Sequence, residues 1–203
     1  MKLIGIVIAV MLIGQAIVLA GVLPMIPIFN QDGDTASLES LAADPDGTQF
    51  AELVDWDSEN FVSYWEQGLT PETYEEILDM GRDIYIAEGC SQCHTQQVRT
   101  VGNDVERYGD ASTLRGQNND LNAPQLLGTH RVGPDLANEG GLRSNAWHIA
   151  HFWNPRDVIP NSIMPSYQWF FEDKGVLNEK GYAIIAYMQW LGSYNPVAPA
   201  DEE

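Results

Sequence analysis

Apolar residues fill positions 3–23, LIGIVIAVMLIGQAIVLAGVL, broken only by Gln15 and several glycines. About twenty such residues at ~1.5 Å rise match the thickness of a bilayer core, so the run predicts a transmembrane helix. The rival reading is a cleaved signal peptide, because Val18-Leu19-Ala20 before Gly21 resembles a small-residue cleavage site. The run exceeds the ~7–15 residues of a signal-peptide core, which favours a retained anchor. Lys2 on one flank and Asp32 and Asp34 on the other direct the N-terminus to the cytoplasm and the remainder outside. The segment Pro24 to Phe29, PMIPIF, would end the span at the outer interface.

The pattern then changes. Leu38, Leu41, Phe50, Leu53 and Trp56 recur without a sustained period, which predicts an irregular connector with short helical turns. Thr70-Pro71-Glu72 reads as an N-cap, a proline at the first helical position and an acid on the positive helix end. Tyr74, Ile77, Leu78, Gly81, Ile84 and Tyr85 follow at spacings of mostly three and four, so an amphipathic helix runs on to about Gly89. From Thr95 to Arg143 the chain is rich in Gly, Asn, Asp and Arg with little periodicity. A loop of that length in a compact domain is functional or wraps a bound group. Ser144 caps a short helix, NAWHIAHFW, which stops before Asn154-Pro155. Another loop carries Pro160 and Pro165, and Asn178 caps a last helix, EKGYAIIAYMQWL, closed by Gly192. The first and last of these helices are expected to cross through Gly81, Tyr85, Tyr187 and Leu191. No segment alternates convincingly as a strand and none repeats, so the chain is mainly α. It divides into an anchor (1–29), an acidic connector (30–70), a domain (71–195) and an acidic tail (196–203).

Charge sharpens this division. The formal net charge is −19, and fourteen of the 29 acidic side chains, but none of the ten Lys and Arg, fall within residues 31–79. Such a surface disfavours nucleic acid, whose phosphates need basic side chains. It suits either a solvated face or an electrostatic landing surface for a basic partner such as a small cytochrome.

The chain has two cysteines, both within EGCSQCHTQQ. Two thiols cannot staple a domain of this size. Cys90, Cys93 and His94 instead form the C-x-x-C-H pattern, in which two thiols on one turn add to the vinyl groups of a porphyrin and the next residue reaches its iron. A zinc site would need four ligands, and no second Cys pair exists, although His130, His148 and His151 could supply nitrogen. A redox dithiol would need a strand before it. With His94 as the proximal ligand, position in the chain leaves Met164, on a proline-flanked loop 70 residues later, as the leading sixth ligand. His148 and His151 stay open as bis-histidine alternatives. The other imidazole nitrogen of His94 needs an acceptor, and a carbonyl near Pro134 in RVGPDL is the candidate. Arg99, Arg131 and Arg143 are candidate partners for haem propionates.

The strings GRDIYIAEGCSQCH, ERYGD, RVGPDLANEGG and WHIAHFWNPRDVIPNSIMPSYQW, in this order behind a single N-terminal span, closely resemble the mono-haem cytochrome c subunit of cbb3-type terminal oxidases. The resemblance covers roughly residues 81–171. It implies a class I cytochrome c fold on a membrane tether and one covalent haem c ligated by His94 and Met164. It also implies docking on a haem–copper catalytic subunit that reduces dioxygen, with electrons arriving from another cytochrome c subunit or a soluble cytochrome c. The acidic stretch looks longer than the family's connector, and GQNNDLNAPQLLGTH differs from the family's loop. The small subunit of nitric oxide reductases shares the tethered mono-haem plan, but WHIAHFWNPRDV argues for the oxidase. Two rivals remain: a freestanding tethered cytochrome, and a haem enzyme or sensor, which would need an open iron position.

Overall fold

A computed structural model describes residues 2–17, 35–128 and 130–193. The chain forms two compact units, residues 1–35 and 36–203. The first holds helix α1, Lys2–Ile17. Among the described residues no helix is long and apolar enough to cross a membrane. The rest of the predicted span, residues 18–23, lies outside the described residues, as do PMIPIF and the acidic tail.

The second unit is mainly helical: α2 (Leu38–Leu41), α3 (Gln49–Trp56), α4 (Ser58–Tyr64), α5 (Pro71–Ala87), α6 (Asp104–Tyr108), α7 (Leu114–Gln117), α8 (Asn145–Trp153) and α9 (Glu179–Trp190). The three longer helices of the haem-motif region start on side-chain caps. Thr70 Oγ1 accepts the Thr73 N–H at 3.2 Å, Ser144 Oγ the Trp147 N–H at 3.3 Å, and Asn178 Oδ1 the Gly181 N–H at 3.1 Å. Each satisfies one donor that a helix start leaves orphaned. One antiparallel hairpin, β1 (Phe171–Asp173) and β2 (Val176–Leu177), precedes α9. Strands of two and three residues are too short to show alternation, which is why the hydrophobic pattern does not announce them.

Helices α5 and α9 make the most extensive contact in the domain. They cross at Gly81, where an added Cβ would lie 2.2 Å from the Ala183 carbonyl oxygen and 2.8 Å from Tyr187 Cβ. Only glycine allows that approach. The Tyr85 and Tyr187 rings pack 5.5 Å apart beside it. Residues 181–190 of α9 are buried all round, as expected of a helix covered on every side.

What covers the rest of α9 is the segment that the pattern reads as a connector. Phe50, Leu53, Phe61 and Trp65 are buried in the same core as Tyr74 and Tyr182. Phe50 stacks on Tyr74 at 5.9 Å, and Phe61 meets the edge of Tyr182 at 5.4 Å. Tyr182 donates its hydroxyl proton to Asp57 Oδ2 and accepts from Asn60 Nδ2 at 2.8 Å. Residues 36–65 thus form a wall of the domain. The helical period is hidden because the chain breaks at Asp57, between α3 and α4, leaving each helix too short to show a stripe. Trp56, one of the apolar residues in the pattern, points outward and is 73% exposed.

Candidate haem-binding site

Helix α5 ends at Ala87, and Gly89 turns the chain with φ = 71°, a left-handed value that a side chain would strain. A single 3-10 turn, Cys90–Gln92, follows. Within it the Cys93 and His94 N–H groups both donate to the Cys90 carbonyl, at 3.1 and 2.9 Å. This turn places two free thiols on one short loop, Cys90 half-buried against the core and Cys93 exposed. Burial, and then the charge of Glu88, push the Cys90 thiol up to about 12. It is therefore a neutral thiol rather than a reactive thiolate at neutral pH.

The imidazole of His94 is fixed from the Arg131–Leu136 segment. Its Nδ1 lies 2.9 Å from the Pro134 carbonyl oxygen. A carbonyl only accepts, so Nδ1 carries the proton and Nε2 keeps its lone pair for a metal. Burial holds the ring below the usual histidine range, so the neutral, ligating form prevails at pH 7. Gly133 lies flat under the ring: a Cβ there would come within 2.3 Å of His94 Cε1. The backbone closes the clamp, because Gly133 N–H donates to the Cys93 carbonyl at 2.9 Å and Leu136 N–H to the Thr95 carbonyl at 2.8 Å. Two thiols on one turn and an imidazole with a free, correctly oriented Nε2 are the donor set that a C-x-x-C-H haem needs.

A charged network locks the same clamp. Asp135, whose side chain is fully buried, accepts the Gln97 N–H at 3.0 Å, the Ala137 N–H at 2.9 Å, the Thr95 hydroxyl, and Arg131 Nη2 at 3.2 Å. Arg131 also donates to Asp104 at 2.6 Å and to Thr95 Oγ1 at 2.7 Å, and Arg99 Nε donates to Asp104 at 2.8 Å. Hydrogen bonds from Arg99, and then Arg131, hold the Asp104 carboxyl far below the usual range. Two of the three arginines singled out as propionate partners, Arg99 and Arg131, are thus brought together, and both are engaged with carboxylates of this chain. Arg143 lies instead over the Trp147 ring, 5.2 Å from its centroid.

Met164, on the loop after α8, is half-buried against the core, and its N–H donates to Ser162 Oγ at 3.2 Å. Its sulfur lies 3.1 Å from His151 Nε2 on α8. His151 is close enough to His94 for their charges to interact. His148 turns away toward Glu139, with Nε2 4.0 Å from the carboxylate. Three contributors escape sequence reasoning. Arg82, buried on α5, donates to the Leu121 and Ala123 carbonyls, each at 2.8 Å, and so ties the long loop to the helix. Its signal was available, since it occupies an apolar-face position between Leu78 and Tyr85. Asp135 and Tyr167, whose hydroxyl meets the Cys90 thiol, carried no local signal.

Residues 66–182 match the family described as Cytochrome C oxidase, mono-heme subunit/FixO. The match spans more than half of the chain, including the Cys90–His94 turn, the Pro134 clamp and Met164. The chain belongs to this family. It is therefore a mono-haem cytochrome c subunit of the cbb3-type oxidase family, whose role is electron transfer and whose partner is a catalytic subunit. No curated protein matches it.

Proposed function

We propose that this FixO-family chain carries one haem c on a class I cytochrome c fold: Cys90 and Cys93 would hold it through thioethers, and His94 and Met164 would supply its iron ligands. When bound, that group supplies a one-electron Fe(III)/Fe(II) couple. The chain's own residues set its surroundings: the Pro134 carbonyl and Gly133 orient the His94 ring, and Met164 presents its thioether from the opposite loop. A soft thioether favours the reduced state and, with His94, leaves no open position for bond chemistry. The chain then passes electrons singly from a cytochrome c subunit or soluble cytochrome c to the catalytic subunit. The apolar run at residues 3–23 would anchor it once in the cytoplasmic membrane, haem domain outside.

The observation that carries this reading is the Nδ1 contact of His94 with the Pro134 carbonyl, which leaves the Nε2 lone pair available to a metal. Denaturing electrophoresis tests it. The wild type should show a peroxidase-active band at the chain's own mass, and Cys90→Ala with Cys93→Ala should abolish it. A band that persists in the double variant refutes the assignment.

A further inference from the structure

We infer that His151 is a positioning residue for the sixth ligand: its Nε2–H donates a hydrogen bond to the Met164 sulfur, fixing the sulfur's orientation and raising the reduction potential of the haem. This rests on the reading of Met164 as the iron ligand.

The geometry comes first. His151 Nε2 is 3.1 Å from Met164 Sδ, within hydrogen-bonding reach of sulfur. The ring is not free to turn away, because it stacks on Trp147 one helical turn earlier, 4.4 Å between centroids and 16° from parallel. Its Nδ1 is buried and has no hydrogen-bond partner among the described residues. A neutral imidazole has one N–H to place. A proton on Nδ1 would leave a buried donor unpaired and aim the Nε2 lone pair at the sulfur lone pairs. A proton on Nε2 gives the donor an acceptor and leaves only an acceptor unpaired. The second tautomer is the cheaper one.

A thioether sulfur has two lone pairs. Were one taken up by iron, the other would remain for the His151 N–H. A hydrogen bond to that second pair withdraws electron density from sulfur and weakens its donation to the metal. Ferric iron depends on that donation more than ferrous iron, so the bond favours the reduced state. It also keeps His151 itself, a competent ligand, occupied away from the iron.

The test uses the full, haem-loaded chain in detergent. His151→Phe keeps an aromatic ring against Trp147 and removes both nitrogens, whereas His151→Gln restores an N–H donor. In His151→Phe the ferric sulfur-to-iron absorption band should persist, and the oxidised-to-reduced ratio at a fixed ambient potential should rise roughly fivefold, the weight of one ordinary hydrogen bond. His151→Gln should recover part of that change. An unchanged ratio in His151→Phe, or an equal shift in both variants, overturns the inference while leaving Met164 ligation intact. If the sulfur-to-iron band survives Met164→Ala, the ligand reading itself fails. Nitrogen NMR of the ferrous wild type needs no substitution: a protonated Nε2 on His151 supports the inference, and a proton on Nδ1 overturns it.

Discussion

The two sides of the site are built differently. The His94 side is held by main chain and charge: the Cys93 and Thr95 carbonyls accept from the Gly133 and Leu136 N–H groups, the Pro134 carbonyl accepts from His94 Nδ1, and Arg131 ties Asp104 and Asp135 together across these loops. The Met164 side is held by side chains: the Met164 N–H donates to Ser162 Oγ, and its sulfur lies 3.1 Å from His151 Nε2. A main-chain clamp fixes position and tolerates little change. A side-chain support leaves Met164 adjustable, which suits the proposed role of its sulfur.

Asp135→Asn should break this contrast most severely. It removes a buried anion and leaves Arg131 only partly compensated, a change that costs about 3–5 kcal/mol. The haem-loaded chain should lose that much in urea unfolding, and a loss near zero would show that the clamp stands on its backbone bonds alone.

Glu139 joins the two sides, since it sits on the His94-side loop and faces His148 on α8. Burial raises it to about 7, against a smaller opposing effect of Arg143. Burial, and then the charges of His151 and Arg143, lower His148 to about 3. The signs differ. The folded chain holds the Glu139 proton from about pH 4.5 to 7 while the unfolded chain releases it, so this group's contribution falls as pH rises through that window. His148 works the other way, its contribution rising from about pH 3 to 6.5. In the difference between wild type and Glu139→Gln the His148 contribution cancels. The variant should therefore gain on the wild type by about 3 kcal/mol between pH 4 and pH 8. A pH-independent difference would mean that Glu139 is ionised at the lower pH as well.

Ser162→Ala should have the smallest effect, about 1 kcal/mol, with the sulfur-to-iron band unchanged. If it costs as much as Asp135→Asn, the Met164 side is no looser than its counterpart, and the contrast fails.

How much of this was legible in the chain depends on the range of each interaction. The caps at Thr70, Ser144 and Asn178 span three residues, and local pattern finds them. The α5–α9 crossing was legible from one glycine opposite a tyrosine. C-x-x-C-H names the chemistry outright. The partners of Arg99 and Arg131 were not legible, because a guanidinium suits a propionate and an aspartate equally, and only the fold brings Asp104 to both. Residues 36–65 escaped for a related reason. Their apolar side chains are split over three short helices, so burial is decided by Tyr74 and Tyr182 across the domain rather than by any local period.

That wall has a consequence for the order in which the domain is made. Asn60 bonds to Tyr182 across 122 residues of chain, and Asp57 to the same hydroxyl across 125. During synthesis Phe50, Phe61 and Trp65 emerge long before α9, the helix that covers them. Contacts of such sequence separation form late and slowly. Until the final helix is complete, this aromatic surface has nothing to close on and is open to misassociation. The chain's last helix is thus the step that seals the domain, and a nascent chain halted before Asn178 would present Phe61 and Trp65 to solvent.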